Sequence, residues 1–126
     1  MKTMIHSILL VGVGSGIGGV LRYLLGRTFQ SLFPLSFPWG TLVINALGCL
    51  AIGILCGFLA RGGVWSESLR LFAVVGLCGG FTTFSTFSNE SYSLWINGCV
   101  GQALAYSLLS VVIGFAMVIL GYALSR

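Results

Sequence analysis

The chain has 126 residues, of which 57% are hydrophobic and 6% are charged, and it carries a net charge of +4 at pH 7. Soluble domains have roughly a quarter of their residues charged, so this composition excludes an ordinary soluble protein. The positive charges form no basic run with interleaved aromatic residues, which argues against nucleic acid as a partner. Lipid is therefore the expected solvent for most of the surface.

Four apolar segments are long enough to cross a bilayer as helices, which takes about 20 residues each. We predict an all-α integral membrane protein that forms a single domain over residues 1–126. The predicted spans lie at about residues 5–25, 39–60, 69–97 and 101–124. The first segment exceeds the apolar core of a signal peptide, about 7–15 residues, so we expect it to be retained. Residues 26–38 form the first expected loop, and Pro38 is expected to precede the second helix.

Glycines recur at four-residue intervals in the first two spans. The pairs are Gly12/Gly16, Gly14/Gly18 and Gly53/Gly57. Small residues at this spacing let membrane helices approach each other closely. The pattern therefore predicts tight helix contacts, either within one subunit or between subunits, and the sequence leaves both open.

Positive charges give only a weak signal for the orientation in the membrane. With four spans, the termini and the middle loop share one side of the bilayer. That side carries Lys2, Arg61, Arg70 and Arg126, whereas the other carries Arg27 and, if it lies near the interface, Arg22. So small a difference permits insertion in both orientations. A chain of this kind could form an antiparallel homodimer, an arrangement related to the inverted repeats of larger transporters.

The third span contains the densest set of polar residues, GGFTTFSTFSNE at residues 79–90. Polar residues within a span indicate function because hydrocarbon offers them no partner. Two glycines followed by two threonines disfavour a continuous helix, so we predict a mid-membrane break near residues 79–83. Carbonyl groups freed by such a break can coordinate a cation. Because no acidic residue adjoins the break, a monovalent ion such as sodium is favoured over calcium.

Aromatic rings and hydroxyl groups follow the predicted break. Phe84 and Phe87 are three residues apart and share one helical face. The edge of a benzene ring is positive, so rings presented edge-on can solvate an anion. The hydroxyls of Thr83, Ser85 and Thr86 can donate hydrogen bonds to the same anion. Two structural explanations stay open: the rings can face lipid, and the hydroxyls can bond carbonyl groups one turn earlier.

The second and fourth spans each carry a polar stripe at four-residue spacing. In the second span, the Asn45 amide follows Thr41 and offers two donors to an anion. The fourth-span stripe consists of Gln102, Tyr106, Ser110 and Gly114. Hydrogen bonds between helices would explain either stripe equally well. Arg22 ends the first span, where it can extend to lipid headgroups or attract anions to a vestibule.

The sequence lacks the residue sets of an enzyme. His6 is the only histidine, and no Ser/His/acid set, metal-ligand cluster or phosphate-binding loop can be assembled. We therefore predict that the chain is not an enzyme.

Three segments resemble the signature segments of fluoride channels of the Fluc (CrcB) family. They are GGVLRY at residues 18–23, GTLVIN at residues 40–45 and GLCGGFTTFSTF at residues 76–87. They occur in the order and at the spacing of the family, and with the chain length and the four spans they cover essentially the whole sequence. The third segment is the specific one. Phe81 departs from the family, in which leucine is common at this position.

This resemblance implies a fluoride-selective channel in the bacterial plasma membrane, built as an antiparallel dual-topology homodimer with two pores. Fluoride and membrane lipid are its implied partners. The implied fluoride pathway consists of Asn45, Phe84, Ser85, Thr86, Phe87, Tyr106 and Ser110. The backbone carbonyls of Gly79 and Thr82 are implied ligands of a structural Na⁺ on the dimer axis. Glu90 is expected at one pore vestibule, and Arg22 is expected to make the other positive.

Two other classes of protein remain open. A small multidrug-type, proton-coupled transporter is also a four-span, dual-topology dimer, but it needs a carboxylate within its first helix. Residues 5–25 contain none. A non-transporting membrane scaffold subunit would explain the glycine faces but not the hydroxyls and rings of the third span.

Overall fold

The computed structural model describes residues 2–33, 37–62 and 66–125, and every regular element in these ranges is a helix. The five helices are α1 (Lys2–Leu32), α2 (Trp39–Leu59), α3, which runs through Ser66–Leu69, Arg70–Cys78 and Gly79–Phe81, α4 (Phe84–Ile96) and α5 (Val100–Ser125). Residues 34–36 of the predicted first loop and Arg126 of the charge comparison lie outside the described residues.

Four helical stretches are long and apolar enough to cross a membrane, which confirms the predicted all-α, four-span organisation. They are Lys2–Leu32, Trp39–Leu59, Glu67–Ile96 and Val100–Ser125. The third stretch combines α3 and α4. Gly98, between the last two stretches, has a positive φ of 81°, a conformation that glycine adopts without steric cost.

The first helix is longer than predicted, because α1 continues past residue 25 to Leu32. The expected loop at residues 26–38 is therefore wrong for its first part. Gly26 lies where α1 crosses the start of α2: a Cβ on Gly40 would lie 2.9 Å from the Gly26 carbonyl oxygen. The absence of a side chain at Gly40 thus permits the close contact between the two helices, and Gly26 does not end α1.

Glycines set the contacts between two pairs of helices. A Cβ at Gly14 or Gly18 of α1 would collide with the backbone of α3, and one at Gly53 of α2 would collide with the backbone of α5 near Val118. Gly121 of α5 meets α2 in the same way. Two of the predicted glycine pairs, Gly14/Gly18 and Gly53/Gly57, thus make close contacts between helices of the same subunit. Close backbone approach of this kind is typical of helices packed in lipid.

The remaining face of α1 is open. A Cβ placed on Gly12, Gly16 or Gly19 would meet nothing within 4 Å among the described residues. Large apolar side chains elsewhere are similarly uncovered: Leu108 is 67% exposed and Phe115 is 71% exposed. Soluble proteins rarely expose apolar area on this scale, so these faces belong to lipid or to a second subunit.

Candidate functional site

The third membrane stretch is interrupted at two residues. Arg70–Cys78 is π-helical, a wider helical form that is frequent at functional sites. The chain then leaves the helix at Thr82 (ψ 158°) and Thr83 (φ −148°, ψ 123°), both extended. The interruption falls within the predicted range of residues 79–83.

The side chain of Asn45 holds the interruption in place. Its Nδ2 donates to the Thr83 carbonyl oxygen at 3.1 Å, and its Oδ1 accepts from the Thr83 backbone N–H at 2.9 Å. The bond from the Thr83 N–H replaces the one that this group would make in a continuous helix. The expected anion-facing amide is thus engaged with the backbone, although one N–H of Nδ2 remains beyond the bond to Thr83. We call this pair of hydrogen bonds the Asn45–Thr83 clamp.

The clamp also starts α4. The Thr83 hydroxyl accepts a hydrogen bond from the backbone N–H of Thr86 at 3.2 Å, which is an N-cap. The Ser85 hydroxyl lies 3.5 Å from the same oxygen. Ser85 is exposed, whereas Thr86 is half-buried. Two of the predicted hydroxyls are therefore grouped around the first turn of α4.

Ahead of the interruption, α3 ends with carbonyl groups that lack helical partners. The last helical bond is from the Thr82 N–H to the Cys78 carbonyl oxygen at 2.9 Å. The Gly80 carbonyl accepts from Nε of Arg22 at 3.3 Å. The carbonyls of Gly79 and Thr82 have no backbone or side-chain donor in the part of the chain that the structure describes. These groups lie at the partially negative end of α3.

Beyond the interruption, a cleft of about 280 Å³ opens between α2, α4 and α5, which we call the aromatic cleft. It is lined by Asn45, Cys49, Ile52, Thr82, Thr83, Phe84, Phe87, Ser110 and Val111. The rings of Phe84 and Phe87 have centroids 5.9 Å apart at an interplanar angle of 44°. Phe84 is 79% exposed, so one wall of the cleft is open. Four predicted pathway residues, Asn45, Phe84, Phe87 and Ser110, are brought together here.

Two hydroxyl groups next to these rings lack hydrogen-bond partners. The oxygens of Tyr106 and Ser110 are buried and unpaired within the described residues. The Tyr106 ring, which is fully buried, packs against Phe87 at 5.1 Å and against Phe37 at 5.5 Å between centroids. A buried hydroxyl without a partner costs about 1–3 kcal/mol, so it indicates a place for an acceptor.

A second cleft of about 590 Å³, the charged cleft, lies on the other side of Thr83. Its lining includes Arg22, Arg27, Thr41, Thr83, Thr86 and Glu90. The Thr41 hydroxyl donates to Oε1 of Glu90 at 2.7 Å. Arg22 and Glu90 therefore line the same cleft within one subunit, in contrast to the separate vestibules that the resemblance implied.

Thr83 lines both clefts. The fluoride pathway that the resemblance implied does not include Thr83. It does not include Thr41 or Cys49 either. The spacing offered a signal, because Thr41 and Cys49 lie one helical turn before and after Asn45 and so share its face of α2. The Asn45–Thr83 clamp could not be predicted from residue spacing, because it joins residues that are 38 positions apart in the sequence.

Acidic, cysteine and histidine side chains form no metal-binding group of three or more among residues 2–33, 37–62 and 66–125. Backbone carbonyls such as those of Gly79 and Thr82 are oxygen ligands of the kind that hard cations bind.

Four apolar spans, one of them interrupted between two clefts, define a small multi-pass membrane protein. The sequence matches the family described as CrcB-like protein, Camphor Resistance (CrcB), over residues 9–122. The chain belongs to this family.

Curated relatives cover nearly the whole chain. A protein of Azobacteroides pseudotrichonymphae genomovar. CFP2 is 40% identical over 123 residues, which cover 98% of both chains. A protein of Beijerinckia indica subsp. indica is 48% identical over 120 residues, 94% of both chains. A protein of Agrobacterium fabrum is 45% identical over 120 residues, which cover 95% of this chain and 96% of the relative. Each of the three is named a fluoride-specific ion channel FluC.

The clamp predicts a stability cost for its removal. Asn45→Ala leaves the N–H of Thr83 unpaired and removes one of the bonds to its carbonyl, which should lower the free energy of unfolding by about 1–3 kcal/mol. Titration with a denaturing detergent, followed by circular dichroism, measures this loss. Asn97→Ala is the matched control, because it removes an exposed asparagine at the end of α4. Equal stability of the two variants would contradict the clamp.

Proposed function

We propose that this chain is a fluoride-selective channel subunit through which fluoride leaves the cell passively. Family membership and nearly full-length similarity to proteins named fluoride-specific ion channels support this proposal. Those names describe a channel and not an enzyme. The observation that carries the proposal is the aromatic cleft, where Phe84, Phe87 and the unpaired hydroxyl of Ser110 line one space.

The chemistry of the aromatic cleft suits a small, strongly hydrated anion. Fluoride must exchange its water for hydrogen-bond donors, and the Ser110 hydroxyl in the lining of this cleft has no hydrogen-bond partner within the described residues. The positive edges of Phe84 and Phe87 add weak attraction without a fixed charge. Chloride is larger and a poorer hydrogen-bond acceptor, so the same groups replace its hydration less effectively. Selectivity follows from donors and ring edges, with no cation required in the cleft.

The charged cleft has a residue composition that suits the entrance of an anion pathway. Arg22 and Arg27 raise the local concentration of anions, while Glu90 is held by the Thr41 hydroxyl. The hydroxyls of Ser85 and Thr86 belong to the first turn of α4, whose N-terminal end favours negative charge. Fluoride is proposed to pass Thr83 between the two clefts, because this residue lines both.

A passive pathway is sufficient to expel fluoride. Hydrogen fluoride crosses membranes as a neutral molecule from an acidic exterior and dissociates in the less acidic cytoplasm. The trapped anion can then leave down the membrane potential, which provides about 2.3 kcal/mol per charge at 100 mV.

The functional unit is proposed to be an antiparallel dual-topology homodimer with two pores. Phe84 is 79% exposed in the single chain, so the aromatic cleft needs a further wall. The open glycine face of Gly12, Gly16 and Gly19 offers a surface for close contact with another helix. The weak charge bias is compatible with insertion in both orientations.

A sodium ion is proposed to bind on the dimer axis at the interruption, which is proposed to lie near the middle of the membrane. The carbonyls of Gly79 and Thr82 would be its ligands, since both lack donors among the described residues. Bound there, the ion would neutralise the negative end of α3 and stabilise the junction of two subunits. Two subunits would together contribute a set of oxygen ligands.

The other two classes of protein are not favoured. The first transmembrane stretch, Lys2–Leu32, contains no carboxylate with which a proton-coupled transporter could exchange ions. A scaffold subunit would have no use for unpaired hydroxyls beside exposed rings.

Fluoride efflux from liposomes that contain the purified protein tests the proposed function directly. A fluoride electrode should record rapid loss of fluoride, while a parallel chloride electrode records none. Phe84→Ile removes a ring edge and should slow fluoride efflux at least about tenfold, equivalent to 1.4 kcal/mol. Phe115→Ile, at a similarly exposed phenylalanine outside the cleft, should leave efflux unchanged. Absence of fluoride efflux from folded wild-type protein would refute the channel.

Charge engineering tests the dual topology. Ser31→Lys with Leu32→Lys adds positive charge at one membrane surface, and Glu67→Lys with Ser68→Lys adds it at the other; all four positions are exposed. Each double variant should insert in one orientation and, alone, give no fluoride resistance to a fluoride-sensitive bacterium. Co-expression of the two should restore resistance. Full resistance from either variant alone would contradict the antiparallel dimer.

Ion replacement tests the sodium site. Replacing Na⁺ by the bulky cation N-methylglucamine should lower the thermal midpoint of the dimer, because an ion that binds only the folded state stabilises it by about 2.7 kcal/mol at one hundred times its Kd. Potassium serves as the control for ionic strength. Identical midpoints in the three salts would rule out a sodium site.

A further inference from the structure

A thiol forms part of the aromatic cleft. Cys49 is half-buried on α2, one helical turn after Asn45, and it lines the cleft with Ser110 and Phe84. Among the other three cysteines, Cys56 lies two turns further along α2 and is absent from the lining. Cys49 is thus the one cysteine that borders this cleft in the described part of the chain.

The polar stripe of α5 lacks a side chain where it meets this thiol. Gly114 follows Ser110 by one helical turn and so occupies the next position of the stripe. A Cβ placed on Gly114 would lie 3.5 Å from Sγ of Cys49, with no other described atom within 4 Å apart from its own helix. The sulfur therefore borders the space that a hydroxyl side chain at residue 114 would have filled.

An independent feature of the same cleft indicates a ligand. The Ser110 hydroxyl oxygen is buried and has no hydrogen-bond partner among the described residues. A ligand that accepts a hydrogen bond from Ser110 would lie close to Gly114 and Cys49, because Gly114 follows Ser110 by one helical turn. A thiol is a weaker donor than a hydroxyl, and its sulfur is larger than an oxygen.

We propose that Cys49 and Gly114 together form the wall of the fluoride path at the turn next to Ser110, with the thiol in place of the hydroxyl that α5 lacks. The inference rests on the proposed function. It makes Cys49 a residue that sets the width of the path, so that enlargement of this one side chain obstructs fluoride.

Methyl methanethiosulfonate, a small uncharged thiol reagent, tests the proposal on the intact protein in liposomes. The Cys49 thiolate attacks the sulfenyl sulfur of the reagent, an S–S bond forms, methanesulfinate leaves and the thiol proton passes to the buffer. The added methylthio group should slow fluoride efflux at least about tenfold, equivalent to 1.4 kcal/mol. Dithiothreitol should restore efflux, and mass spectrometry should locate the modification at Cys49.

Matched variants assign the effect to one thiol. Cys49→Ser should make fluoride efflux insensitive to the reagent. Cys56→Ser, on the same helix but outside the cleft lining, should remain as sensitive as the wild type. Gly114→Val, which needs no reagent, should slow fluoride efflux by filling the space next to the sulfur.

The outcomes separate this inference from the proposed function. A wild-type protein that conducts no fluoride contradicts the channel itself. A conducting protein whose Cys49 is modified without slower efflux, or whose Cys49 resists modification, overturns the place of the thiol in the path. Persistent sensitivity of Cys49→Ser overturns it as well.

Discussion

The two hydrogen bonds between the Asn45 side chain and the backbone of Thr83 are the constraint on which the site depends. The extended residues Thr82 and Thr83 leave backbone groups without helical hydrogen bonds, and lipid could not satisfy such groups. Asn45 supplies one donor and one acceptor, at 3.1 Å and 2.9 Å, and so makes the extended conformation tolerable. Without this side chain, the Thr83 N–H would lose the partner that it has in the structure.

Opposite chemical properties arise on the two sides of this interruption. The last turn of α3 presents carbonyl groups at Gly79 and Thr82, whereas the first turn of α4 begins with a hydroxyl cap at Thr83. A helix is partially negative at its C-terminal end and partially positive at its N-terminal end. One break thus favours a cation on one side and an anion on the other, which fits the proposed sodium and fluoride sites. Phe84 and Phe87, in the first turn of α4, line the aromatic cleft.

Composition and span length were sufficient to predict the all-α, four-span organisation, because lipid as solvent leaves few alternatives. The interruption at Thr82 and Thr83 lies where two adjacent glycines and two threonines predicted a break, while its mid-membrane position stays a prediction. The end of α1 was not predictable, because α1 packs at residue 26 against Gly40 of α2, a contact that local propensity does not describe. The clamp and the Thr41–Glu90 bond escaped prediction for a related reason: each joins residues on different spans, and their meeting depends on how the helices cross.

The central claim is that the clamped interruption creates the fluoride path, and Asn45→Ala tests it most directly. Fluoride efflux from liposomes should be compared for this variant and the wild type, with circular dichroism to establish that the variant remains helical. The account predicts that the helices persist while fluoride efflux is lost, because Asn45 no longer holds Thr83 in place between α3 and α4. Wild-type efflux from the folded Asn45→Ala protein would contradict the account.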